Sequence, residues 1–181
     1  MTGNVQKFVF VAFVATLLCI IQIAQASDAI VAYRSNTNQS FCTVATALQC
    51  PKIRFWDSSG AGSWGPEIEL PTSGASASRF IVKQSPISGK IVLITVSTGG
   101  LLDAYVCTSD CGNPGAWTVT NNIGSVSAIA QRRYDLEFEA STGDAIVVYG
   151  VVSTNVSRDL AYKVLPAEQS SFSGIPGQYQ S

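Results

Sequence analysis

The chain has 181 residues, 11 Lys and Arg against 12 Asp and Glu, no histidine and a formal net charge of −1. Such a balance lacks the basic face that nucleic-acid binding needs, and without histidine any acid–base chemistry falls to carboxylates, tyrosines or lysines. Charged residues are only 13% of the chain, while Ser, Thr, Val, Ile, Ala and Gly are abundant, so the expected fold class is all-β.

Residues 1–26 read as a signal peptide. Lys7 gives a positive start, an apolar run follows over residues 8–23, and Ala24-Gln25-Ala26 has the small-x-small form of a cleavage site. The run is shorter than the roughly 20 residues a spanning helix needs. Cleavage before Ser27, no membrane span afterwards, and a secreted or cell-surface location are therefore expected. Four cysteines then remain, Cys42, Cys50, Cys107 and Cys111, an even number for an oxidising compartment. Local bridges, Cys42–Cys50 and Cys107–Cys111, are the preferred pairing because each pair flanks a loop, although four cysteines allow other connectivities. The spacings are not those of a zinc site and no histidine completes one, so no metal and no cofactor is expected.

The chain writes one strand twice. Asp28-Ala-Ile-Val-Ala-Tyr33 returns 116 residues later as Asp144-Ala-Ile-Val-Val-Tyr149. A longer match, offset by 54 residues, aligns Arg79 with Arg133, Phe80 with Tyr134 and Ser88-Gly89-Lys90 with Thr142-Gly143-Asp144. Each copy reads as a first strand, a turn and a second, mostly apolar strand, with Gly89 and Gly143 supplying the positive φ the turn demands. Leu136 and Phe138 alternate with Asp135, Glu137 and Glu139, which predicts a half-exposed first strand. The apolar second strand should be buried on both faces. A third strand follows at residues 52–57, 102–107 and 158–164, and a fourth is opened by Trp64 and by Trp117.

The expected organisation is a β-repeat domain over 27–166, with units of about 27–78, 79–132 and 133–166, and a flexible tail over 167–181, at a period of about 54–62 residues. The first unit lacks its first strand and the last lacks its fourth. That makes ten strands in antiparallel, propeller-blade-like units, with a β-sandwich of about ten strands as the alternative. Two and a half units are too few for a closed propeller. The open strand edges at the two ends would invite pairing with another copy and hence a homo-oligomer.

Thr108-Ser-Asp110-Cys-Gly112 followed by Trp117 is similar to the Asp-box of sialidase-like β-propeller repeats of secreted microbial surface proteins, with two extra residues before the Trp. Asp57-Ser-Ser-Gly60 with Trp64 is a looser version. The resemblance implies structural roles: Asp110 and Gly112 for the turn, Trp117 for packing between strands.

For function, the aromatic residues Trp56, Trp64, Trp117, Tyr105 and Tyr162 can stack on sugar rings or simply pack the units. Asn38 and Asn155 begin N-glycosylation sequons. Glycoside hydrolysis needs two carboxylates across a cleft, whereas Asp135, Glu137 and Glu139 read as one solvated strand face. The expected function is that of a secreted, non-enzymatic β-repeat protein binding glycans or mediating surface contact. The alternative is a structural subunit of an extracellular assembly or filament joined by strand pairing, and a glycosidase-like fragment comes third.

Overall fold

The structure is a computed structural model that describes residues 29–34, 50–71, 77–97, 99–126, 133–151 and 160–180. The leader at 1–26, the sequons at Asn38 and Asn155, and Cys42 lie outside the described residues.

The described residues are all-β, in three antiparallel four-stranded sheets. Sheet 1 holds β1 (Ala29–Arg34), β2 (Pro51–Asp57), β3 (Ser63–Trp64) and β4 (Ile68–Glu69), with β1, β3 and β4 all paired to β2. Sheet 2 runs β5 (Ala77–Gln84), β6 (Ile91–Ser97), β7 (Leu101–Cys107) and β8 (Trp117–Ser125) in chain order. Sheet 3 runs β9 (Tyr134–Phe138), β10 (Ala145–Gly150), β11 (Leu160–Leu165) and β12 (Gln178–Gln180), likewise in chain order.

The three sheets stack face to face with sheet 2 in the middle. Val92, Ile94 and Val96 of β6, with Leu102, Ala104 and Val106 of β7, pack on Leu136, Ala145, Val147 and Tyr149 of sheet 3. The alternate residues of β6, Ile91 and Leu93, pack with Tyr105, Cys107 and Trp117 against Ile53, Ile68 and Leu70 of sheet 1. All seven residues of β6 are buried, as a strand covered on both faces requires. Its counterparts differ. In β10 buried and half-buried residues alternate, and β1 is half-buried along its middle. Among the described residues full burial belongs to the middle unit, because sheets 1 and 3 are each covered there on one face. No closed ring forms among the described residues.

The two hairpin turns repeat with different chemistry. In sheet 2, Ser85 Oγ accepts from the amides of Ile87 and Ser88, and Gly89 sits at φ +70°. At the equivalent place in sheet 3, the Glu139 carboxylate accepts from the amides of Ser141 and Thr142, and Gly143 sits at φ +79°. In both, the capping residue's own amide closes the hairpin: Ser85 N–H to Lys90 O at 2.7 Å and Glu139 N–H to Asp144 O at 2.8 Å.

The C-terminal segment corrects the expected flexible tail at 167–181. It folds onto sheet 3 and supplies the fourth strand, β12, paired to β11. Lys90, almost wholly buried, donates from Nζ to the carbonyls of Pro166 (3.0 Å) and Gln169 (2.6 Å). Asp144, at the position equivalent to Lys90, accepts from the Ala167 amide at 2.8 Å. Phe172 is 1% exposed in the core. The segment's own sequence is polar and rich in Gly and Pro, so its order comes from these tertiary contacts.

Candidate functional site

The alternation of β2 builds the site. Ile53 and Phe55 face the core between sheets 1 and 2, so Lys52, Arg54 and Trp56 lie on the opposite face, where Lys52 is itself fully buried. Register sets them in rows: Trp56 beside Ala29 and Trp64, Arg54 beside Val31, and Lys52 beside Tyr33 and Glu69. The rows span about 14 Å at roughly 3.4 Å per residue.

One end is aromatic. The Trp56 and Trp64 rings meet edge to face, centroids 5.3 Å apart and planes at 71°, an arrangement the ring quadrupoles favour. Trp64 is 43% exposed. The β2–β3 loop fixes Trp56 from behind: Gly62 sits at φ +73°, and a Cβ there would lie 2.5 Å from the Trp56 ring. Asp57 holds that loop by accepting from the Ser59 amide at 2.8 Å, which keeps its carboxyl below its ordinary pKa.

The other end is an ionic network. Lys52, 0% exposed, donates to Glu67 Oε1 at 2.6 Å, and the Tyr33 hydroxyl donates to Glu67 Oε2 at 2.6 Å. The Lys52 hydrogen bond, followed by that of Tyr33, holds Glu67 below the usual carboxylate range. Burial, then the Glu67 contact, pushes Tyr33 up. Glu67 is therefore a fixed anion at neutral pH, which suits it to orienting partners and not to acting as a general acid. Arg54 stands between the two ends, close enough to influence both Tyr33 and Glu67.

The five aromatic candidates thus separate. Trp56 and Trp64 come together on the outward face. Tyr105, 0% exposed, and Trp117, 5% exposed, belong to the core between sheets 1 and 2, so they pack and offer no platform. Tyr162 is half-buried on the far face of sheet 3, hydrogen-bonded to Gln178.

The Asp-box-like segment is a stapled turn. Cys107 and Cys111 are disulfide-bonded, and Trp117 Nε1–H donates to Cys111 O at 3.1 Å. Asp110 takes the left-handed conformation at φ 53°, but the side-chain cap comes from Asn113, whose Oδ1 accepts from the Gly115 amide at 2.9 Å. Gly112 is not left-handed, and a Cβ there would meet nothing within 4 Å, so the turn does not require glycine at 112. Cys50 is also disulfide-bonded and buried; Cys42, its expected partner, lies outside the described residues.

Two groupings escaped the sequence reading. The Tyr33–Lys52–Glu67 network needs Glu67, which lies in the irregular link between β3 and β4 and carries no periodic signal. The arginines, scattered in sequence, gather in part: Arg34 Nη1 donates to Ala77 O at 3.5 Å at the start of β5, while Arg79 and Arg133 line neighbouring depressions that both include Tyr134. The 54-residue offset between Arg79 and Arg133 was the available clue. Among the described residues no group of acidic or cysteine side chains could hold a metal ion, and no helix is long and apolar enough to cross a membrane.

Comparison with family models, with curated proteins and with solved structures finds no match.

Proposed function

We propose that this is a secreted, non-catalytic glycan-binding protein whose ligand lies across the outward face of sheet 1. The observation that carries the reading is the Trp56–Trp64 pair, Trp64 exposed and Trp56 half-buried, beside Arg54 and the Tyr33–Lys52–Glu67 network. A sugar presents an apolar ring face and a polar rim; the tryptophans match the first, and Arg54 with the partly exposed Glu67 matches the second. The Gly62 loop holds Trp56 in place before any ligand arrives, which lowers the ordering cost of binding. Glu67, at the ionic end of the face, is an ion locked to Lys52 and Tyr33, which favours recognition over hydrolysis. The leader-like residues 1–26 and the even cysteine set support export.

Isothermal titration with a panel of neutral oligosaccharides tests this. We expect at least one ligand to bind, with Trp64→Ala weakening it roughly tenfold, about 1.4 kcal/mol, at unchanged thermal stability. Absence of binding to every sugar at millimolar concentration would overturn the reading.

A further inference from the structure

We infer that the outward face of sheet 3 docks a second copy of this chain, through the outward face of that copy's sheet 1. The repeat itself points to this occupant. The 54-residue offset places Ile146 and Val148 of β10 at the positions of Val92 and Ile94 of β6, and the 116-residue offset places Ala29 and Val31 of β1 at those of Ala145 and Val147. Both junctions inside the chain then follow one rule. The face carrying Ile30 and Ala32 in sheet 1 packs on the face carrying Ile91 and Leu93 in sheet 2. The face carrying Val92 and Ile94 in sheet 2 packs on the face carrying Ala145 and Val147 in sheet 3.

Applied once more, the rule leaves two faces unmatched among the described residues. On sheet 3 it is the half-buried face of Ile146, Val148, Tyr162 and Val164, with Leu160 47% exposed at its end. On sheet 1 it is the half-buried face of Val31, Arg54 and Trp56. Register pairs Val31 with Arg54 and Ala29 with Trp56, as it pairs Val147 with Lys163 and Ala145 with Leu165. Arg54 therefore stands where sheet 3 has Lys163, and Trp56 where it has Leu165. Lys163 is half-buried at the existing junction, where burial lowers its pKa. A long cation is thus compatible with this packing step.

Each copy has one face of each kind, so the contact is head to tail and either closes into a ring or runs on. Two copies would bring six sheets, within the roughly four to eight blades that close propellers. The inference does not rest on the glycan reading. The two share Trp56, so a bound sugar and a docked copy would compete.

Sedimentation velocity of the purified protein across a hundredfold concentration range is the test. We expect a mass of at least twice the monomer's, reduced to the monomer by Val148→Lys with an unchanged circular dichroism spectrum. Should Val148→Lys fail to fold, Leu160→Lys serves, since Leu160 is 47% exposed on the same face and the substitution should weaken association in the same way. A monomer at every concentration, or an oligomer that none of these substitutions weakens, would overturn the inference.

Discussion

At the scale of single residues, close approach and fixed charge decide most of what is distinctive. Gly124 lies under the Tyr149 ring where β10 of sheet 3 meets β8 of sheet 2, and a Cβ there would fall 2.4 Å from the ring. Gly124→Ala should therefore lower unfolding free energy by about 1–3 kcal/mol, as overpacking does, read from urea denaturation. Glu139 is the clearest electrostatic case. Amide donation from Thr142, with the Ser141 hydroxyl and amide, brings its carboxyl down to about 2 from an ordinary value near 4.5. A depressed carboxylate stabilises the fold fully above its unfolded value, and that contribution is lost as pH falls through the folded one. The fall in stability between roughly pH 4.5 and 2 should be shallower in Glu139→Gln than in the wild type, measured by urea midpoints across that range. Ser85, the equivalent cap, does not titrate, so the pH response belongs to the sheet 3 hairpin.

At the scale of elements, the C-terminal segment shows why local sequence misled. Residues 166–180 lack apolar periodicity, and β12 is three residues long; nothing local predicts a strand. Its order comes from Lys90, Asp144 and Phe172, each placed by a different part of the fold. Phe172→Ala should cost about 3–5 kcal/mol and leave β12 amides unprotected in hydrogen exchange while β6 amides stay protected. Loss of protection in β6 alone would contradict the assignment of Phe172 to the closing segment. The hairpins were legible by contrast, because an apolar strand, a polar–Gly turn and a 54-residue repeat all point the same way. Burial of the second strand on both faces was legible only for β6, since covering depends on how many sheets follow and not on the strand itself. In β8 a further local feature was hidden: Asn122 adopts φ 54° and its amide donates to the buried Asp103 carboxylate at 2.8 Å, at an irregularity in pairing with β7.

At the scale of the whole molecule, the all-β class and the repeat could be read from composition and offset, whereas a stack of three sheets could not. Alternating strands suit a sandwich, a propeller or a stack equally well, and the decision lies in which faces meet. The candidate site was half legible. Trp56 and Trp64 stood out as aromatics, but so did Trp117, and only register separates them: Trp64 sits on a two-residue strand opposite Trp56, while Trp117 opens β8 opposite the buried Cys107. The charges of the site lay in the alternation of Lys52 and Arg54 with Ile53 and Phe55, yet their partner Glu67 could be located only in space.

A ligand that meets the protein at Trp56 and Trp64, on the outward face of sheet 1, must change the surroundings of those two indoles. The chain has three tryptophans, so the indole N–H resonances in a nitrogen–proton correlation spectrum report on it directly during an oligosaccharide titration. The Trp56 and Trp64 signals should move with a common saturation curve while that of Trp117, hydrogen-bonded to the Cys111 carbonyl in the core, stays in place. Movement of Trp117 alone, or binding that leaves both surface indoles unmoved, would contradict it.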